Sequence, residues 1–286
     1  MQIKVGCEFR YEATWPTPAV MQVQPHQAAD QRILHEAWQL TPPLALHSYV
    51  DLYGNTCQRI VIPPGNQVLN YDATIEVSES ADEDAPDAVQ LPVEALPDDV
   101  LLYTLPSRFC LSDVLSDMAW QLFGTMEPGW ARVQAICDWV HSNIRFQYGS
   151  SNSLTTAAEV CAQGVGVCRD FAHASISLLR ALNYPARIVT GVDYGADPGL
   201  GPPDFHCYLD VFLGDRWYLF DPTGICPLTG LIRIATGTDA ADVSFATTFG
   251  QVRGTMPKLS FNAVEDGAGI SLPYPTTLAI STASVL

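Results

Sequence analysis

"GVGVCRDFAHASISLLRALNYPAR", Gly164 to Arg187, sets a cysteine between a glycine-bearing approach and an apolar run of helical period. Phe171, Ile176, Leu178, Leu179 and Leu182 recur along one helix. "NYP", Asn183 to Pro185, stops it. Cys168 therefore stands at a predicted helix N-terminus, where unpaired main-chain N–H groups and the macrodipole favour negative charge. Arg169 places a cation next to it. The preceding "GVG" admits a close backbone approach, so that a substrate carbonyl can reach the Cys168 N–H as an oxyanion donor. Only the thiolate attacks carbonyls well, and these features favour it. Taken alone, the same cysteine also fits a buried packing residue.

What separates the two readings is a base, and a group to orient that base. Downstream lie the strand-like runs "ARIVTGVDY", "FHCYLDVFL" and "RWYLFDPT". If the last two form a hairpin through Gly214 and Asp215, Leu213 faces Arg216 and Tyr208 faces Asp221. His206 and Tyr208 share one face because strand side chains alternate. Asp221 then projects on the face of His206, one diagonal step away, roughly 7–8 Å between Cα atoms. A three-residue loop would turn Asp221 to the other face. The expectation is a set of three: Cys168, His206 and Asp221.

Outward from this centre, "WARVQAICDWVHSNI" carries Val133, Ile136, Val140 and Ile144 at helical spacing. The first third reads as β structure: "IKVGCEFRYEA", "LHSYVDLYGNTCQRIVIP" and "QVLNYDATIEV" are short alternating or β-branched runs broken by Pro, Gly and Asn. "YGNT", Tyr53 to Thr56, is a hairpin turn. "SESADEDAPDA", residues 78–88, is an acidic solvated loop. We expect a β-rich unit over 1–105 and a catalytic unit over 106–286. The tail after about Pro257 carries no motif.

The 286 residues hold 14 Lys and Arg against 31 Asp and Glu, a formal net charge of −17. Nucleic-acid binding needs a basic footprint, so this balance argues against it. No run is apolar and long enough to span a bilayer, and the opening "MQIKVGCEFRYEATW" has no secretory pattern. The eight cysteines are scattered, so reduced thiols and a cytoplasmic location are expected. Zinc ligation is disfavoured because Cys161 and Cys168 are separated by six intervening residues with no Cys-x-x-Cys pair. No metal or organic cofactor is called for. Cys161 precedes the glycines and is the weaker nucleophile. Cys207 points to the sheet face opposite His206 and is expected in the core. His173 faces away from Cys168, and His141 suits the surface end of its helix. Trp120, Trp130 and Trp139 are read as core, and Gln147 or Tyr148 as a source of a second oxyanion donor.

"GVCRDFAH…LLRALNYPARIVTG", "DFHCYLDVFLGDRWYLFDPT" and "GTDAADVSF" resemble the bacterial transglutaminase-like proteins, often labelled cysteine proteases. The likeness covers most of the chain. It implies an α+β, papain-like core, a nucleophile helix packed on an antiparallel sheet, preceded by a small β-rich domain. It carries the nucleophile onto Cys168, the general base and acid onto His206, and the orienting carboxylate onto Asp221. Where the family pattern has His-Ala-Trp and then Glu, this chain has His206, Cys207, Tyr208 and Asp210. Near "GTDAADV" a basic residue is expected where Thr238 stands. Neither departure is expected to touch the triad. The implied activity is acyl transfer on a peptide or protein substrate, with hydrolysis preferred, transamidation as one alternative and a non-catalytic peptide-binding module as another.

Overall fold

The computed structural model describes residues 2–28, 31–77, 85–193, 204–225 and 231–264. Most of the acidic 78–88 stretch and of the Gly- and Pro-rich stretch before Asp204 lies outside them. The chain opens with β1 (Gln2–Ala13), β2 (Thr17–Met21), β3 (Gln31–Thr41), β4 (His47–Val50), β5 (Thr56–Ile62) and β6 (Gly65–Val77). Helices α1 (Ser116–Phe123) and α2 (Trp130–Asn143), strand β7 (Arg145–Phe146), helix α3 (Ala157–Gln163), strand β8 (Val165–Gly166) and helix α4 (Cys168–Ala181) follow. Strands β9 (Ala186–Asp193), β10 (Phe205–Leu213), β11 (Arg216–Phe220), β12 (Leu231–Gly237), β13 (Ala246–Thr248), β14 (Val252–Gly254) and β15 (Lys258–Ala263) complete the described chain. This is an α+β protein with a β-rich N-terminal region.

The central sheet runs β11-β10-β9-β12, all antiparallel, and α4 packs on β10 and β9. Residues of α4 from Phe171 to Leu179 share one core with Phe205, Cys207, Leu209, Val211 and Leu213 of β10. The odd-numbered residues of that strand therefore face the core that α4 also lines. The even-numbered ones face the other way: Tyr208 sits with Val189 and Leu219, and Phe212 with Trp217 and Tyr103. On that side Arg187 Nε donates to Asp210 Oδ2 at 2.9 Å, and the guanidinium lies over Trp217. The α2 stripe of Val133, Ile136, Val140 and the following Ile144 is buried as expected. The α4 apolar face is likewise buried, and Asn183, at φ +65°, turns the chain out of the helix.

The first third is β structure, as read. β1 pairs with β6 and β6 with β3, while β2-β5-β4 lie in another sheet, with β4 and β5 joined through the "YGNT" turn. What hydrophobic patterning did not reveal is where the end of the chain goes. β13 pairs with β2, and β14 and β15 pair with β1, so residues 246–263 complete the N-terminal sheets. A division at 105/106 is thus not how the strands pair. The two regions are locked together along the outer edge of β12. The Gln31 side chain donates to Arg233 O at 2.8 Å and accepts from Arg233 N at 2.7 Å. Asn55 does the same with Thr236, at 2.8 and 2.9 Å. Each amide replaces the missing neighbour strand, satisfying main-chain groups that burial would otherwise orphan.

Candidate active site

Two glycines bring the chain to Cys168. Gly164 ends α3 in the left-handed region, at φ +66°, a conformation open to glycine at no steric cost. Gly166 is different: a Cβ there would sit 2.8 Å from the Asp170 Cβ. Its role is to admit the buried Asp170 carboxylate, whose Oδ2 accepts the Val167 N–H at 2.9 Å and ties down the first turn of α4. The segment is clamped from the side by β7, through Arg145 N to Gly164 O and Gln147 N to Gly166 O, both 2.9 Å.

Cys168 begins α4 and is half-buried. The β10–β11 hairpin has the expected register, with Leu213 opposite Arg216 and Leu209 opposite Phe220, so Asp221 follows on the His206 face. His206 Nε2 lies 3.3 Å from Asp221 Oδ2. The ring also packs edge-on against Tyr208, 4.6 Å between centroids. The His206 imidazole is near enough to the Cys168 thiol to help hold it below its ordinary value. The three residues singled out in the sequence thus meet at one place.

Asp221 is held by groups that sequence reasoning did not select. Its Oδ1 accepts the Thr223 N–H at 2.9 Å and the Thr223 hydroxyl at 2.7 Å, and Oδ2 accepts the Ile225 N–H at 3.3 Å. An aspartate accepting from the main chain two residues on is an Asx turn, so the "DPT" after a strand was the available signal. Burial alone would raise the Asp221 pKa, but His206 and the Thr223 donors outweigh it and hold the carboxyl below its ordinary value. His141 supports this loop from α2, its Nδ1 3.1 Å from Pro222 O.

Cys168 is held well below the ordinary thiol value. The foremost cause is a hydrogen bond from the Cys207 thiol; burial opposes it, and His206 adds both a hydrogen bond and charge. Two expectations are corrected here. Arg169 is not among the groups that favour the thiolate: its guanidinium is spent on Asp170, 3.1 Å away, and on Asn152 O at 2.9 Å. Cys207 does point away from His206 into the core, but the face it occupies is the one α4 covers, so its thiol meets Cys168. The His-Cys-Tyr departure therefore touches the triad after all. Thr238 lies elsewhere, bonding Asp242 through its N–H at 2.8 Å.

The remaining candidates separate cleanly. Burial pushes the Cys161 thiol up to about 11. His173 is buried, accepts the Ala240 N–H at 3.1 Å and stacks on Phe109; burial lowers it to about 4. Trp130 is core, whereas Trp120 is 51% exposed, against expectation, because its indole N–H reaches over the end of α4 to Ala181 O. Exposed Tyr148 lies within electrostatic reach of Cys168, His206 and Asp204.

A half-buried thiol on a helix start, an imidazole on a strand and a carboxylate at the end of its hairpin partner define a thiol-centred α+β protein of the papain-like kind. The family model for the transglutaminase-like superfamily matches residues 117–222, a span that contains all three residues. The structure of a candidate cysteine protease from Cytophaga hutchinsonii is 31% identical, with 99% of this chain and 97% of that one covered at a TM-score of 0.89. The chain belongs to the transglutaminase-like superfamily. An uncharacterized protein of Mycobacterium leprae is 28% identical over 117 residues, 39% of this chain. That match spans 42% of the length of the curated relative. The periplasmic domain of TgpA from Pseudomonas aeruginosa aligns at 15% identity over 78% of this chain and 90% of that one, with a TM-score of 0.40.

Proposed function

We propose that the chain is a cysteine-dependent acyl-transfer enzyme acting on amide or peptide bonds, with water as the preferred acceptor. The observation that carries this reading is the His206–Asp221 pair, 3.3 Å apart, acting on a Cys168 thiol that is held well below its ordinary value. The Cys168 sulfur attacks the carbonyl carbon, and the Cys168 N–H in the first turn of α4 donates to the developing oxyanion. His206, charged after taking the thiol proton, gives that proton to the leaving amine, which departs as the thioester forms. Asp221 keeps Nε2–H pointed at itself and stabilises the imidazolium. In the second half His206 takes a proton from water, the hydroxide equivalent adds to the thioester, and the thiolate is released. Tyr148, rather than Gln147, is the side chain we assign to a second oxyanion donor, since it is the one within electrostatic reach of Cys168 and His206.

An amine in place of water would make the product a transamidation. The test is an intact-mass search for a thioester after mixing with peptide and glutamine-containing substrates, with Cys168→Ala alongside. Acyl adducts on wild type alone, cleared without added amine, support hydrolysis; adducts cleared only on adding a primary amine support transamidation. No adduct with any substrate, together with slow and equal alkylation of several cysteines, would leave a binding module.

A further inference from the structure

Arg169 follows the nucleophile directly, and its guanidinium reaches out to the loop between β7 and α3. Its Nη2 donates to Ser151 Oγ at 3.1 Å and to Asn152 O at 2.9 Å. The same nitrogen donates to Asp170 Oδ1 at 3.1 Å, and Nε does so at 3.3 Å. Asp170 is fully buried, and its other oxygen accepts the Val167 N–H at 2.9 Å. One side chain thus ties the loop, the first turn of α4 and the residue before Cys168 into a unit.

That loop carries Tyr148. Strands β7 and β8 pair in parallel, Arg145 opposite Val165 and Phe146 opposite Gly166, so the register carried two residues on brings Tyr148 alongside Cys168. Phe146 packs on Phe171, one turn into α4, at 6.1 Å between ring centroids, and edge-on against Tyr148 at 5.2 Å. Tyr148 takes the second position of a β-turn. Gln147 O accepts the Ser150 N–H at 3.3 Å and the Ser150 hydroxyl at 2.7 Å, with Gly149 at φ +74°. The ring is 61% exposed, so packing alone does not fix it. The turn is braced upstream by Gln147 N donating to Gly166 O, and downstream by Arg169. A lysine could neutralise Asp170 but has no planar fork with which to hold the loop as well. We propose that Arg169 is a positioning residue: by bracing the 147–152 loop on the first turn of α4, it sets where the Tyr148 hydroxyl stands relative to a carbonyl held at Cys168. The proposal rests on the reading of Tyr148 as the second oxyanion donor.

The experiment compares two reactions of Cys168 in the full chain. Acetylation by p-nitrophenyl acetate passes through an oxyanion, whereas alkylation by iodoacetamide does not and reads the thiolate alone. Arg169→Lys should be acetylated on the order of a hundred-fold more slowly than wild type, while its alkylation keeps the wild-type rate and pH profile. Tyr148→Phe should lose as much, and combining the two should cost little more, because both remove the same donor. Hydrogen exchange by mass should quicken over residues 147–154 in Arg169→Lys and stay unchanged over 172–182. Ser151→Ala leaves the Asp170 contact intact, serves if the lysine variant does not fold, and should give smaller changes in the same direction. Alkylation falling in step with acetylation overturns the proposal, since Arg169 would then act on the thiol or on the fold. Losses that add in full in the double variant also overturn it. Quickened exchange with Tyr148→Phe acetylated like wild type would sink the second-donor reading and leave the brace standing. Slow acetylation of Tyr148→Phe with unchanged exchange in Arg169→Lys does the reverse.

Discussion

Helices α2 and α4 are both 14 residues long, and each carries a cysteine against the core. Cys137 lies in the middle of α2 among Val133, Ile136 and Val140; Cys168 opens α4. Burial, with Asp138 and Asp221 nearby, pushes the Cys137 thiol far up, while Cys207 and His206 bring Cys168 far down against its own burial. Asp221 acts on both sides of this contrast. It disfavours charge on Cys137 directly, and through His206 it supports charge on Cys168. The difference between the two thiols comes from where on the helix each sits and which groups surround it, not from residue type.

The sharpest way to break the comparison is to remove each sulfur in turn. Cys168→Ala should abolish thioester formation and lower turnover on the order of a million-fold. Cys137→Ala should leave turnover near wild type and lower unfolding stability by about 1 kcal/mol through the small cavity it leaves. Equal losses from the two would mean that the α4 site is structural. Intact mass and urea unfolding measure both.

Next in size is Asp221→Asn, which keeps the shape but removes the charge that orients His206. Turnover should fall on the order of ten thousand-fold, and alkylation of Cys168 should shift to higher pH while Cys161 is unaffected. An unchanged pH profile for Cys168 would detach the carboxylate from the nucleophile.

The smallest effect is on stability against pH. Burial raises the Cys110 thiol from 9.0 to about 12. A raised folded value contributes stability that is fully present below the unfolded value and lost as pH climbs through the folded one. Unfolding free energy should therefore decline between pH 9 and about 12, and Cys110→Ala should flatten that limb. Cys168 has the opposite sign: its contribution is present above the unfolded value and lost as pH falls through its lowered folded value. Chemical denaturation from below the lowered Cys168 value up to about pH 12 reads both slopes, and an alkaline limb unchanged in Cys110→Ala would count against the burial argument.

Local pattern carried far in this chain. The α4 face, the α2 stripe and the β10–β11 register were all legible because each depends on neighbours in sequence: helical spacing in the first two, a two-residue turn in the third. The register alone put Asp221 on the His206 face. Arg169 misled because adjacency to Cys168 said nothing of Asp170, which is buried, needs a cation and takes it. The sequence reads the glycines as room for a substrate carbonyl, whereas the group that approaches Gly166 is Asp170.

The sequence by itself determined which three residues come together: a thiol at a helix start, and a histidine and an aspartate on one face of a hairpin. These follow from backbone periods of a few residues. Only the tertiary structure decided that the last strands return to β1 and β2, and that Cys207 lies against Cys168. Both depend on which surfaces meet after the chain has folded, and alternation can say that a side chain faces the core without saying what waits for it there.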